Sequence, residues 1–180
     1  MTLRGSIASG LALLGVLAAA PLADAHGPTR QKVTETVEIA APADKVWAAI
    51  GNFQDMGWHP AIAKTEGSGG NGKDAKRVLT LKSGGTISET LTKYDAAGRS
   101  LGYEITAVDV KVLPVNNYSA TLSVEAKGST SVVEWRSAFY RGFLNNDPPP
   151  ELSDEAAVKA IKGVFRSGLD ALKAKLEAGG

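Results

Sequence analysis

The stretch Ser153-Asp154-Glu155-Ala156-Ala157-Val158-Lys159-Ala160-Ile161-Lys162-Gly163-Val164-Phe165-Arg166-Ser167-Gly168-Leu169-Asp170-Ala171-Leu172-Lys173-Ala174-Lys175-Leu176 decides the fold. Val158, Ile161, Phe165, Leu169, Leu172 and Leu176 recur at helical intervals, while Lys159, Lys162, Arg166, Lys173 and Lys175 take other faces. That pattern predicts one long amphipathic helix with a single apolar stripe. Ser153 is placed to cap it, and Asp154 and Glu155 favour its positive end. Upstream, Asn145-Asn146-Asp147-Pro148-Pro149-Pro150 is a stiff connector that excludes both helix and central strand. A stripe of this kind needs an apolar surface to cover it, and the rest of the chain must supply one.

The preceding segments read as strands. Ala75–Lys82, Thr86–Tyr94, Leu101–Val108, Asn117–Ala126 and Ser131–Phe139 follow one another at hairpin spacing. Ser83-Gly84-Gly85, Asp95 to Arg99 and Lys127-Gly128-Ser129 punctuate them, as expected for an antiparallel meander. Val33-Thr34-Glu35-Thr36-Val37-Glu38-Ile39 alternates apolar and polar, the mark of a half-buried strand, and Ile62–Glu66 suits a further short one. Between these two lie a helical reading over Ala41–Ile50, with Pro42 at its first position, and a second short helical turn over Phe53–Pro60. The glycine-dense Gly67–Asp74 lacks the Lys-Ser/Thr ending of a phosphate loop and reads as a hairpin connection. The fold class is therefore α+β. A curved antiparallel sheet of about seven strands wraps a long C-terminal helix, two short helices follow strand 1, and a cavity opens where helix and sheet diverge.

The N-terminus has a separate purpose. Arg4 precedes the apolar run Ile7–Ala20, Pro21 ends it, and Ala23-Asp24-Ala25 places small residues at −3 and −1 of a cleavage site. This is the form of a secretory signal peptide over residues 1–25, too short to be a membrane span. A single domain over 26–180 follows, without a span once the leader is removed. The chain has no cysteine, which excludes disulfides, thiolate metal sites and cysteine nucleophiles, and fits export to a bacterial periplasm. Lys and Arg together number 20 against 19 acidic residues, a balance that gives no support to nucleic-acid binding. Dinucleotide, EF-hand and H-E-x-x-H motifs are missing, so no cofactor is expected.

Several residues are candidates for a site. Glu89 shares a strand face with Ile87 and Leu91, and an inward carboxylate must be paired, hydrogen-bonded or protonated. It is either an acid/base or ligand anchor, or a structural partner of Arg77 or Arg136. His59, between Trp58 and Pro60, falls near the expected cavity mouth. To act as an acid/base it needs a partner such as Glu89 within about 3 Å or through a bridging water; otherwise it is a rim histidine bonded to backbone. Trp58, Tyr103, Trp135, Phe139 and, from the helix stripe, Phe165 are expected to line an apolar pocket or to fill the core. Cleavage after Ala25 would expose the amine and imidazole of His26 together, a pair suited to Cu(II) that His59 would complete. No metal site is otherwise expected.

Val37-Glu38-Ile39-Ala40-Ala41-Pro42-Ala43-Asp44-Lys45-Val46-Trp47, then Ile50-Gly51-Asn52-Phe53 and Trp58-His59-Pro60, resemble the SRPBCC superfamily, the START/Bet v 1-like, polyketide cyclase/dehydrase-type helix-grip fold. Gly84–Leu91, Leu101-Gly102-Tyr103, Leu113-Pro114-Val115 and Val133-Glu134-Trp135 continue the likeness over residues 31–178. Together with a leader, Gly51–Pro60 is similar to MxaD-type periplasmic proteins of methylotrophic bacteria. That resemblance implies an accessory or small-ligand-binding role, assisting methanol dehydrogenase and its cytochrome c acceptor. The superfamily also implies two alternatives: a cyclase-like enzyme using Glu89 and His59 for acid/base chemistry, or a carrier of hydrophobic ligands.

Overall fold

The computed structural model describes residues 27–178, so the expected leader and His26 lie outside the described residues. Seven strands form one antiparallel sheet: β1 (Gln31–Ile39), β2 (Ile62–Ser68), β3 (Lys76–Leu81), β4 (Thr86–Asp95), β5 (Ser100–Val108), β6 (Val115–Lys127) and β7 (Thr130–Arg141). Their spatial order is β1-β7-β6-β5-β4-β3-β2, so β2 to β7 run as a meander and β1 closes onto the last strand. Helix α1 (Ala43–Ile50) and the turns after it carry the chain from one edge of the sheet to the other. The expected α+β helix-grip architecture is present. Among the described residues no helix is long and apolar enough to cross a membrane.

Strand alternation sets which face is buried. On β7, Ser131, Val133, Trp135, Ser137, Phe139 and Arg141 all point inward, and on β4 Ile87, Glu89 and Leu91 do the same. On β6 the alternation breaks at Asn117, which takes φ +46 beside a register shift between Asn116 and Ser119. Asparagine tolerates the left-handed region, and the bulge lets Val115 and Tyr118 face the core together. Two further shifts, at Ser88/Glu89 and Leu91/Lys93, interrupt the β4–β5 ladder. Bulges of this kind increase strand bend and twist, which curves the sheet.

Helix α2 (Asp154–Glu177) lies in the curve, packed chiefly on β1 and β7. Ser153 caps it as expected, its Oγ accepting from Ala156 N at 3.2 Å. The buried stripe differs at its first member. Ala157 is fully buried and Val158 only half-buried, because 157, 161, 165, 168, 169, 172 and 176 form the face turned to the sheet.

Two local expectations are corrected. Pro42 is the residue before α1 rather than its first member. Phe53–Pro60 is a run of turns, not a second helix. Asn52 Oδ1 accepts from Gln54 N, Asp55 Oδ1 accepts from Gly57 N, and Phe53 N donates to Asn71 Oδ1. Such side-chain bonds offer the backbone partners that a helix would otherwise supply.

Candidate functional site

Where α2 leaves the sheet beyond β7, a cavity of about 210 Å³ remains. The floor comes from inward positions of the meander: Leu79 on β3, Ile87 and Glu89 on β4, Tyr103 and Ile105 on β5. Tyr118 and Trp135 close the sheet side, Ile161 and Val164 form the helix side, and Met56, His59 and Ile62 cover the end. Its walls are mostly hydrocarbon and aromatic ring, with a few convergent polar groups, the usual make-up of a small-molecule site.

Glu89 is the only carboxylate in that wall. Its Oε2 accepts from Arg77 Nε at 2.6 Å, and the two residues are 5% and 3% exposed. They stand directly opposite each other in the β3–β4 register. Arg77 lies behind the wall with its guanidinium 4.2 Å from the Phe53 ring centre and 5.1 Å from that of Tyr103, and Nη1 donates to Phe53 O at 2.8 Å. The other expected partner, Arg136, is on the outer face of the sheet. Burial pushes the Glu89 carboxyl above its usual range, and the adjacent guanidinium opposes that rise.

His59 is buried, and both its ring nitrogens are occupied. Ala61 N–H donates to Nδ1 at 3.2 Å, so Nε2 carries the proton and donates to Val164 O at 3.0 Å. Burial holds the imidazole below its ordinary value, against the effect of the Val164 carbonyl. No direct hydrogen bond joins His59 to Glu89 among the described residues. His59 ties the turn to α2.

The aromatic residues divide into two layers. Tyr103 and Trp135 reach the cavity, and Trp135 Nε1 donates to the Tyr103 hydroxyl at 2.9 Å. Tyr118 reaches it too. Burial raises both tyrosine hydroxyls beyond the normal phenol range, so they remain protonated at neutral pH. Trp58, Phe139 and Phe165 stop short of the wall and support it from behind. Phe165 stacks on Trp135 at 4.3 Å between ring centres, Phe139 on Tyr118 at 6.1 Å, and Trp58 lies 5.6 Å from Trp135.

A wider trough of about 530 Å³ crosses the outer face of the sheet, lined by Lys32, Thr34, Thr121 and Arg136 with Gly102 in its floor. Water competes for every polar group in so open a surface, which makes the enclosed inner cavity the better candidate for a binding site.

Residues 30–177 match the family model described as polyketide cyclase / dehydrase and lipid transport. The chain belongs to this family. Its match spans every strand and helix of the polyketide cyclase/dehydrase domain, in line with the SRPBCC resemblance. Among solved structures, the protein XoxI from Bacillus cereus is 32% identical, with TM-score 0.69, covering 81% of this chain and 94% of that one. A protein from Nitrosospira multiformis is 27% identical, with TM-score 0.66, covering 81% and 96%. Norcoclaurine synthase from Thalictrum flavum, solved with dopamine and hydroxybenzaldehyde, is 17% identical with TM-score 0.62, covering 93% and 98%, and shares the fold. No curated protein matches.

Proposed function

We propose that this polyketide cyclase/dehydrase family member is an exported accessory protein that binds a small, mainly apolar molecule in its inner cavity and assists methanol dehydrogenase and its cytochrome c acceptor in the periplasm. The observation that carries the binding role is the aromatic cavity of about 210 Å³ with one carboxylate in its wall. That volume is below the roughly 300–1,000 Å³ of pockets for drug-sized ligands, which favours a single ring or short chain over a long acyl chain. The leader-like residues 1–25 support export. The MxaD-type likeness of Gly51–Pro60 supports the accessory role.

The two alternatives have less support. Acid/base catalysis by Glu89 and His59 needs a proton-accepting nitrogen, and the backbone holds both nitrogens of His59. A carrier of long-chain lipid needs more room than the cavity provides.

The test is methanol-dependent reduction of cytochrome c by methanol dehydrogenase, with the purified mature protein titrated in. A saturable rise in rate is expected. An unchanged rate at saturating amounts removes the accessory role. Native mass spectrometry of the same preparation tests the cavity, with an added mass of small-molecule size as the expected result.

A further inference from the structure

The Glu89–Arg77 pair leaves one valence of the cavity unused. Oε2 of Glu89 is held by Arg77, whereas Oε1 accepts no hydrogen bond from a described residue. Nor is Oε1 among the polar atoms sealed away without a partner, as Trp58 Nε1 is. It faces the cavity that Glu89 lines. A buried acceptor without a donor is costly, and an incoming donor removes that cost.

The groups beside it point the other way. Tyr103 stands one inward position along β5 from Ile105, the cross-strand partner of Glu89. Its oxygen already accepts from Trp135 Nε1, which leaves the Tyr103 O–H to donate. Tyr118, also in the wall, directs its own hydroxyl at the Tyr103 oxygen, which leaves the Tyr103 O–H as the donor turned to the cavity. The polar end of the cavity thus presents one acceptor and one donor together. A hydroxyl group answers both at one atom; an ammonium only donates and a carboxylate only accepts.

Charge selects in the same direction. The 2.6 Å contact between guanidinium and carboxylate is that of a charge-assisted bond, and the pair carries no net charge. An added cation or anion would stand unmatched among apolar walls and bind more weakly for it. We propose that the cavity selects small neutral molecules bearing a hydroxyl, a phenol or an aromatic alcohol, which donates to Oε1 of Glu89 while its ring lies among Tyr103, Tyr118 and Trp135. This rests on the ligand-binding reading above and adds the chemical class of the ligand.

The test compares four probes of one shape by calorimetric titration of the purified protein: toluene, 4-methylphenol, benzylamine and benzoate. Toluene is expected to bind, 4-methylphenol about tenfold more tightly, and the two charged probes about tenfold more weakly than toluene. In Arg77→Met/Glu89→Met, the preference for 4-methylphenol over toluene disappears. Tyr103→Phe, which leaves the ion pair intact and removes the donor beside it, reduces that preference severalfold and decides the matter if the double variant does not fold. Equal affinities for toluene and 4-methylphenol overturn the proposal while leaving the binding role intact, as does a preference that survives in the variants. If neither binds, the ligand-binding reading itself falls, and the proposal with it.

Discussion

Arg77 and Glu89 face each other across adjacent strands, Nε 2.6 Å from Oε2, with almost no solvent on either. Neither partner is comfortable without the other. Removing one strands a buried charge, whereas replacing both with apolar side chains of similar length leaves nothing to desolvate. Arg77→Met is therefore expected to destabilise the domain by about 3–5 kcal/mol. The double variant Arg77→Met/Glu89→Met should recover most of that loss. Urea unfolding of the single and double variants measures the coupling. A double variant as unstable as the sum of the singles would show that the pair does not act as a unit.

His59 makes stability depend on pH. Its folded pKa is depressed below 6.5 by burial, so the unfolded chain binds the proton more readily. The contribution is intact above about 6.5 and is lost as pH falls from there through the folded value. Glu89 has the opposite sign: its raised carboxyl contributes most below about 4.5 and less as pH climbs. Comparing Tm from pH 7.5 to 5 in the wild type and in His59→Gln isolates the imidazole. The variant should show the shallower fall on acidification. Parallel curves would mean that His59 is not held neutral by its surroundings.

Much of this arrangement was legible before any coordinates. The α2 stripe, its Ser153 cap, the meander and the inward direction of Glu89 all follow from residue spacing. The choice between Arg77 and Arg136 did not, because it depends on register rather than on pattern. Arg77 and Glu89 lie equally far from Ser83, so a hairpin centred there pairs them, whereas one centred on the neighbouring Gly84 would set Leu79 against Glu89. The turns at 52–60 were hidden because Asn52 and Asp55 divert backbone groups that apolar periodicity alone assigns to a helix. The bulge at Asn117, which brings Tyr118 into the cavity wall, leaves no trace in alternation except its interruption. Which aromatics reach the hollow was set by packing depth, and spacing along one strand does not encode depth.

The bond from Trp135 to Tyr103 is open to a simple chemical deletion. Tyr103→Phe keeps the ring in the wall and takes away the acceptor 2.9 Å from a buried indole N–H. An orphaned donor of that kind costs about 1–3 kcal/mol, well above the effect of the lost hydroxyl volume. Guanidinium unfolding followed by tryptophan fluorescence should show a lower midpoint at unchanged slope. An unmoved midpoint would mean that the indole finds another partner when the tyrosine oxygen is gone.

Two glycines in α2 should respond to the same substitution with opposite signs. At Gly163 an added Cβ would meet nothing within 4 Å, and the position is exposed. At Gly168 it would come within 2.5 Å of His59 Cδ2 and 3.1 Å of the Trp135 ring. Helix propensity favours alanine over glycine by about 1 kcal/mol at either site. At Gly163 nothing opposes that gain, so Gly163→Ala should stabilise the domain by about 0.5–1 kcal/mol. At Gly168 the new methyl group must displace an imidazole tied at both nitrogens and a tryptophan stacked on Phe165, neither of which is the loose end of a flexible chain. Overpacking of this kind costs about 1–3 kcal/mol and outweighs the propensity gain. Gly168→Ala should therefore lower Tm while Gly163→Ala raises it, and the His59 ring resonances should shift only in the former. Equal stabilisation at both sites would place α2 farther from His59 and Trp135 than a closed cavity wall allows.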